Sequence, residues 1–182
     1  MAALSTAQVA ALNTDQIGAL VSDDLRAIST AGLRAWSTDQ LNALSSANMG
    51  ALTTAQTAAL TTDQIRNLSS TDLNALGTAQ FAALTTAQVG AFSSDQAAAL
   101  ATDDLQAMTT GQFAAMNSDQ IGALTTLEIT KLESQDLRAI STAALRALNS
   151  DQLAALTSDQ VSSLTSAQIA ALSTQQISLL DL

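Results

Sequence analysis

The side chains that could do chemistry in this 182-residue chain are carboxylates and hydroxyls, because the usual catalytic types are missing. There is no Cys, His, Tyr or Pro, and a single Lys. Without His the commonest general base and metal ligand is gone. Without Cys there is no disulfide, thiolate nucleophile or thiolate metal site. Two acidic pairs, Asp23-Asp24 and Asp103-Asp104, could serve calcium if an oxygen-rich loop surrounded them. Neither fits the loop of an EF-hand, and no Gly-Gly-x-Gly-x-Asp repeat is present. Ser and Thr are abundant, but no base stands in sequence to activate them. The seven Gly are scattered and form no phosphate-cradling loop. These features predict a protein that is not an enzyme, with no catalytic residue, no cofactor and no metal site.

Charge narrows the partners. The net charge is -10 and the isoelectric point is near 4.1, which argues against nucleic acid and anionic membranes. Residues 40–62 and 73–94 carry no charge. Ser/Thr and Gln interrupt both stretches at regular intervals, so no membrane span is expected. Asn67-Leu68-Ser69 is a formal glycosylation sequon, a weak three-residue pattern.

An internal period organises all of these residues. From Leu4 to Leu172 a large apolar residue recurs every eight positions, defining 22 octapeptides over residues 4–179 with no insertion or deletion. The consensus reads Leu, Ser/Thr, Ser/Thr, Ala/Asp, Gln/Asp, Ile/Val/Leu, variable, Ala. Position one is large and apolar, and position three is Ser or Thr, in all 22 copies. Position six is large and apolar except at Thr57 and Ala97, and position eight is Ala in 18 copies. Residues 22–35 match residues 134–147 at 12 of 14 positions, which points to growth by block duplication. The array is expected to form one domain over 1–182. It starts and stops within a repeat and has no polar capping copy, which predicts a segment of a longer array or ends that pack on another chain.

An octapeptide period suits neither continuous secondary structure. At about 100° per residue, one octapeptide overshoots two helical turns by about 80°, so the apolar stripe of one long helix would drift around it. In a strand, positions one and six would lie on opposite faces. A short helix that restarts in each copy satisfies both columns. In Leu4-Ser5-Thr6-Ala7-Gln8-Val9, Ser5 fits an N-cap and Gln8 its capping-box partner, while Leu4 and Val9 form a hydrophobic staple. Each helix should then run about six residues.

Charge placement agrees with that frame. Fourteen of the 16 acids fall at positions four and five, all five Arg at position seven, and Lys131 at position eight. This is the order the helix macrodipole favours. A Ser, Thr, Asn or Gly holds the cap position except at Val21, Ala101 and Glu133. At Val21 and Ala101 the adjoining acidic pair predicts a cap moved one residue on, to Ser22 or Thr102. The position-three hydroxyls are expected to satisfy carbonyls of the preceding short helix. A lone octapeptide is too short to be stable, so neighbours must bury one another's apolar columns. The predicted fold is an all-α solenoid, or superhelix, of tandem 8-residue repeats with one short capped helix in each. Positions one, six and eight should line its narrow core. Trp36, Phe81, Phe92 and Phe113 fall on core columns, and the sixteenth repeat, Leu124 to Lys131, departs most from the consensus.

The strings Ala-Leu-Thr-Thr-Ala-Gln-Val (83–89) and Ala-Leu-Asn-Ser-Asp-Gln-Leu (147–153) resemble octapeptide-repeat tracts of very large bacterial exported proteins of the adhesin or haem-utilisation type. That resemblance implies a secreted or cell-surface setting and a stalk or spacer role, and brings no catalytic or binding residue with it. A non-enzymatic spacer, stalk or scaffold is therefore the expected function. The alternatives are a protein- or glycan-binding module that uses the exposed polar face, and a filament unit that associates with itself through the array ends.

Overall fold

The structure, a computed structural model, describes residues 4–180. Among them every repeat forms one helix, from α1 (Thr6–Ala10) to α22 (Thr174–Ile177), four to six residues long. All of these helices begin at position three. Position two is extended and takes the N-cap. Wherever Ser, Thr or Asn at position two is followed by Gln or Glu at position five, the capping box closes in both directions. The chain then returns to extended backbone, as at Leu52 (φ -56°, ψ 141°). Among the described residues no backbone has positive φ. The helices thus end without the left-handed Gly that often closes a helix, so the repeat needs no fixed glycine.

Two caps differ from expectation. The N-caps of α3 (Ser22–Arg26) and α13 (Thr102–Ala107) stay at Val21 and Ala101, with no side-chain bond, and do not move to Ser22 or Thr102. The apolar columns on either side are in register with every other repeat. Moving the cap by one residue would turn Leu25 or Leu105 out of the core, where both are fully buried.

The contacts divide the chain into Met1–Ala91 and Phe92–Leu182, and the division falls between two repeats. Within each unit a helix packs on the helix three repeats away. In the first unit α4 (Thr30–Arg34) packs on α1 and on α7 (Thr54–Ala59), and α7 packs on α10 (Thr78–Ala83). In the second, α14 (Thr110–Ala115) packs on α17 (Ser134–Ala139), and α17 on α20 (Ser158–Ser163). Each unit is therefore an all-helical solenoid with three octapeptides per turn.

The core holds positions one and six as expected, including Trp36, Phe81, Phe92 and Phe113, none more than 4% exposed. Position eight does not join them. Only Ala51 and Ala91 of that column are buried, and the other alanines lie at the rim. The third inward column is position five, which is polar. From Asn48 onward nearly all of its residues are buried, whereas Gln8 and Gln16 are exposed. Position five packs against the turn behind it, and the first three repeats have no described turn behind them.

Candidate functional site

The polar seam between turns is where the unusual residues converge, and Gln88 shows its plan. Its Oε1 accepts from the backbone N–H of Thr85 (2.7 Å) and from the Thr85 hydroxyl (3.0 Å), the local capping box. Its Nε2 donates to the carbonyls of Thr57 (2.9 Å) and Leu60 (2.8 Å), 31 and 28 residues earlier. One buried amide therefore caps its own helix and ties it to the previous turn. The same pair of separations recurs at Gln56, with Leu25 and Ile28, and at Gln64, with Leu33 and Trp36. In the second unit it recurs at Gln160, with Ile129 and Leu132, and at Gln168, with Leu137 and Ile140.

These bonds answer a need that the short helices create. The position-six carbonyl already accepts the N–H of the next position one, as Thr57 does from Leu60. The position-one carbonyl lies between two helices and, among the described residues, no backbone donor to it is seen. Leaving such a group buried and unpaired costs about 1–3 kcal/mol, and the Gln amide from the next turn removes that cost. Trp36 supplies a variant of the same tie: its Nε1 donates to Val9 (2.9 Å), and Gln40 Nε2 then reaches Ala10 (2.9 Å) and Leu12 (2.6 Å).

A second set of bonds runs forward from position seven. Arg26 Nε donates to the Ala51 carbonyl (3.0 Å), Arg66 Nε to Ala91 (3.4 Å) and Asn42 Nδ2 to Asn67 (3.0 Å). Arg26 and Arg66 thus have a partner in the next turn as well as the macrodipole. Approach at this rim is close: a Cβ built on Gly50 would lie 2.6 Å from the Ala75 oxygen.

Four position-three hydroxyls, those of Ser22, Ser46, Thr110 and Ser134, also reach forward rather than to a carbonyl of the preceding helix. Ser22 donates to Asn48 Oδ1 (3.2 Å), Ser46 to Asp72 Oδ1 (3.1 Å) and Thr110 to Asp136 Oδ1 (2.7 Å). The residues they serve are short position-five side chains, which leave room that a Gln fills. Ser134 Oγ bonds the Asp159 carbonyl at 3.5 Å.

Each acidic pair is split by the helix that bears it. Asp23 and Asp103 point outward, whereas Asp24 is half-buried and Asp104 is only 6% exposed. Burial, then repulsion from Asp103, pushes the Asp104 carboxyl above the ordinary aspartate range. Burial does the same at Asp136; the Thr110 hydrogen bond opposes it and Glu133 adds to it. Among the described residues no group of three or more His, Cys, Asp or Glu is placed to hold a metal ion, and no cavity opens. No described helix is long and apolar enough to cross a membrane. In the sixteenth repeat, Leu127 and Lys131 are exposed and Glu128 is buried. Asn67 of the sequon is exposed and donates to Asp63 O (2.8 Å).

The tie that sequence reasoning missed had a signal. Capping and the macrodipole both suit Glu at the third helical position, yet position five is Gln in most repeats and Glu only at Glu128. Only the amide brings a donor, and the donor is what the previous turn uses. The string Ala-Leu-Thr-Thr-Ala-Gln stands in full at 51–56 and 83–88, and its last residues, Gln56 and Gln88, both make the double bond backward. The family model for the ALTTAQ repeat matches residues 1–22, 19–54, 65–102, 97–130 and 129–166. No curated protein matches the chain. Carrying that repeat through most of its length, the chain belongs to the ALTTAQ repeat family.

Proposed function

We propose that the chain is a non-enzymatic spacer or scaffold whose reach is set by its number of repeats. The recurrence of the position-five tie at 28 and 31 residues in both units carries this reading. Within each unit the same bonds recur from turn to turn, so adding or removing a turn there changes length without rebuilding a site. A stalk segment of an exported bacterial surface protein fits that role, on the strength of the repeat-tract resemblance. The test is to delete one, two and three whole turns of the solenoid and measure small-angle scattering. A spacer loses a constant increment of maximum dimension per turn and keeps the helical spectrum per residue. Unequal increments, or collapse on removing a single internal turn, would overturn the proposal.

One observation favours a binding module as the second reading. Leu127 is 60% exposed on a helix start where most other repeats carry Asp or Ala and none carries a large apolar residue. A partner that recognises the sixteenth repeat would lose affinity on Leu127→Asp while the helical spectrum stays unchanged.

A further inference from the structure

We propose that Asp136 is a proton-controlled tie between α14 and α17, whose neutral carboxyl donates to the buried carbonyl of Met108 and whose ionised form cannot. Asn48 supplies the template. At the same repeat position, its Nδ2 donates to the Leu20 carbonyl (2.7 Å), 28 residues back, while its Oδ1 accepts from the Ser22 hydroxyl (3.2 Å), 26 residues back. Asp136 keeps the second half of this arrangement, since its Oδ1 accepts from the Thr110 hydroxyl (2.7 Å), also 26 residues back. The counterpart of Leu20 is Met108, which precedes Asp136 by the same separation as Leu20 precedes Asn48. Met108 is 5% exposed, and its carbonyl accepts no hydrogen bond among the described residues. Asp136 is equally buried. The oxygen of Asp136 that Thr110 leaves unused corresponds to the Asn48 donor. Placed as the Asn48 donor is, an ionised oxygen would set one acceptor against another. With a proton taken from solvent on that oxygen, the O–H donates to Met108 and the tie is complete.

The surroundings favour the neutral form. Among the described residues, α14 carries no titratable side chain, and α20 contributes Asp159, whose backbone carbonyl accepts from Ser134. On its own repeat Asp136 has Glu133 at the N-cap and Arg138 in the last turn. Adjoining repeats add Glu128, Lys131 and Arg146. The net effect is upward: burial raises the Asp136 carboxyl, the Thr110 bond lowers it, and Glu133 raises it again.

The linkage sign follows. A carboxyl whose folded-state value lies above the unfolded value of about 3.9 binds its proton more tightly when folded. Its stabilising contribution is full below about pH 3.9 and is lost as pH rises through the folded value. Because a solenoid opens between neighbours, this junction tightens in acid and loosens toward neutrality.

The experiment compares urea unfolding of the full chain, Asp136→Asn and Asp159→Asn at about pH 7 and about pH 3, either side of the aspartate range. Asp136→Asn should raise the midpoint at neutral pH, with the gain vanishing in acid, and exposed Asp159→Asn should show no such pattern. The side-chain carboxyl carbon of Asp136, followed by NMR, should titrate above the ordinary aspartate value. A gain that persists in acid, a neutral-pH midpoint unchanged or lowered by Asp136→Asn, or an Asp136→Asn chain that fails to fold would overturn the proposal. So would stabilisation of the wild type by added calcium that Asp136→Asn abolishes, because the oxygens would then be holding a cation.

Discussion

Gln88→Glu separates the two jobs of the position-five amide. The substitution keeps an oxygen to accept from Thr85 and preserves the shape of the side chain. It replaces the Nε2 donor that now serves Thr57 and Leu60 at 2.9 and 2.8 Å. If capping were the whole role, Glu at this helix start would equal Gln or improve on it, by about 0.3–1 kcal/mol through the macrodipole. If the tie is real, the Leu60 carbonyl loses its one donor among the described residues and the Thr57 carbonyl one of two, and a carboxylate oxygen faces both. At about 1–3 kcal/mol for each buried group left unsatisfied, the expected loss near pH 7 is about 2–5 kcal/mol. Gln88→Ala should lose as much or more, since it also strips the Thr85 N–H of its partner. The control is Gln8→Glu, at an exposed position with only the capping box to make, where the change should be within about 1 kcal/mol. Urea unfolding followed by circular dichroism reads the totals. A Gln88→Glu chain as stable as wild type would refute the tie, because the exchanged donor is what the two side chains differ by at this site.

Glu128→Gln restores the missing donor at a buried position of the second unit, and should raise stability by about 1–2 kcal/mol in the same urea assay. Gly50→Ala should lower it, by about 1–3 kcal/mol, because the new methyl would meet the Ala75 oxygen at 2.6 Å; a gain would mean that the rim gives way freely. Val21→Ser supplies the absent cap of α3 and should add about 0.5–2 kcal/mol, visible as a higher thermal midpoint.

Much of this architecture is legible in the residues. The octapeptide period excludes a long helix and a strand, and the cap, capping-box and staple positions place the helix starts, except that the shift expected at Val21 and Ala101 does not occur. Trp36 and the three Phe fall on core columns for the same reason. These are local matters, decided within one octapeptide by hydrogen bonding and apolar spacing. The misplacements arise where a residue answers to another turn. Position eight reads as core because it is small and apolar, but a small residue also serves where a neighbouring backbone comes close, as it does at the rim. Position three reads as a partner for the preceding helix, whereas Ser22, Ser46 and Thr110 serve side chains three repeats on.

The repeat, the helix in each copy, its polarity and its apolar columns all depend on groups within one octapeptide or its immediate neighbour, and the residue order alone is enough to read them. The winding of three repeats per turn is not among them. Nor are the burial of Gln56, Gln64, Gln88, Gln160 and Gln168 and the unequal fates of Asp103 and Asp104, which the stacking of turns decides. A capping box is satisfied equally well in water or in a core. Whether the remaining amide hydrogens meet solvent or a carbonyl of the turn behind depends on how the turns stack, and a partner so distant along the chain leaves no local trace beyond the preference for Gln over Glu.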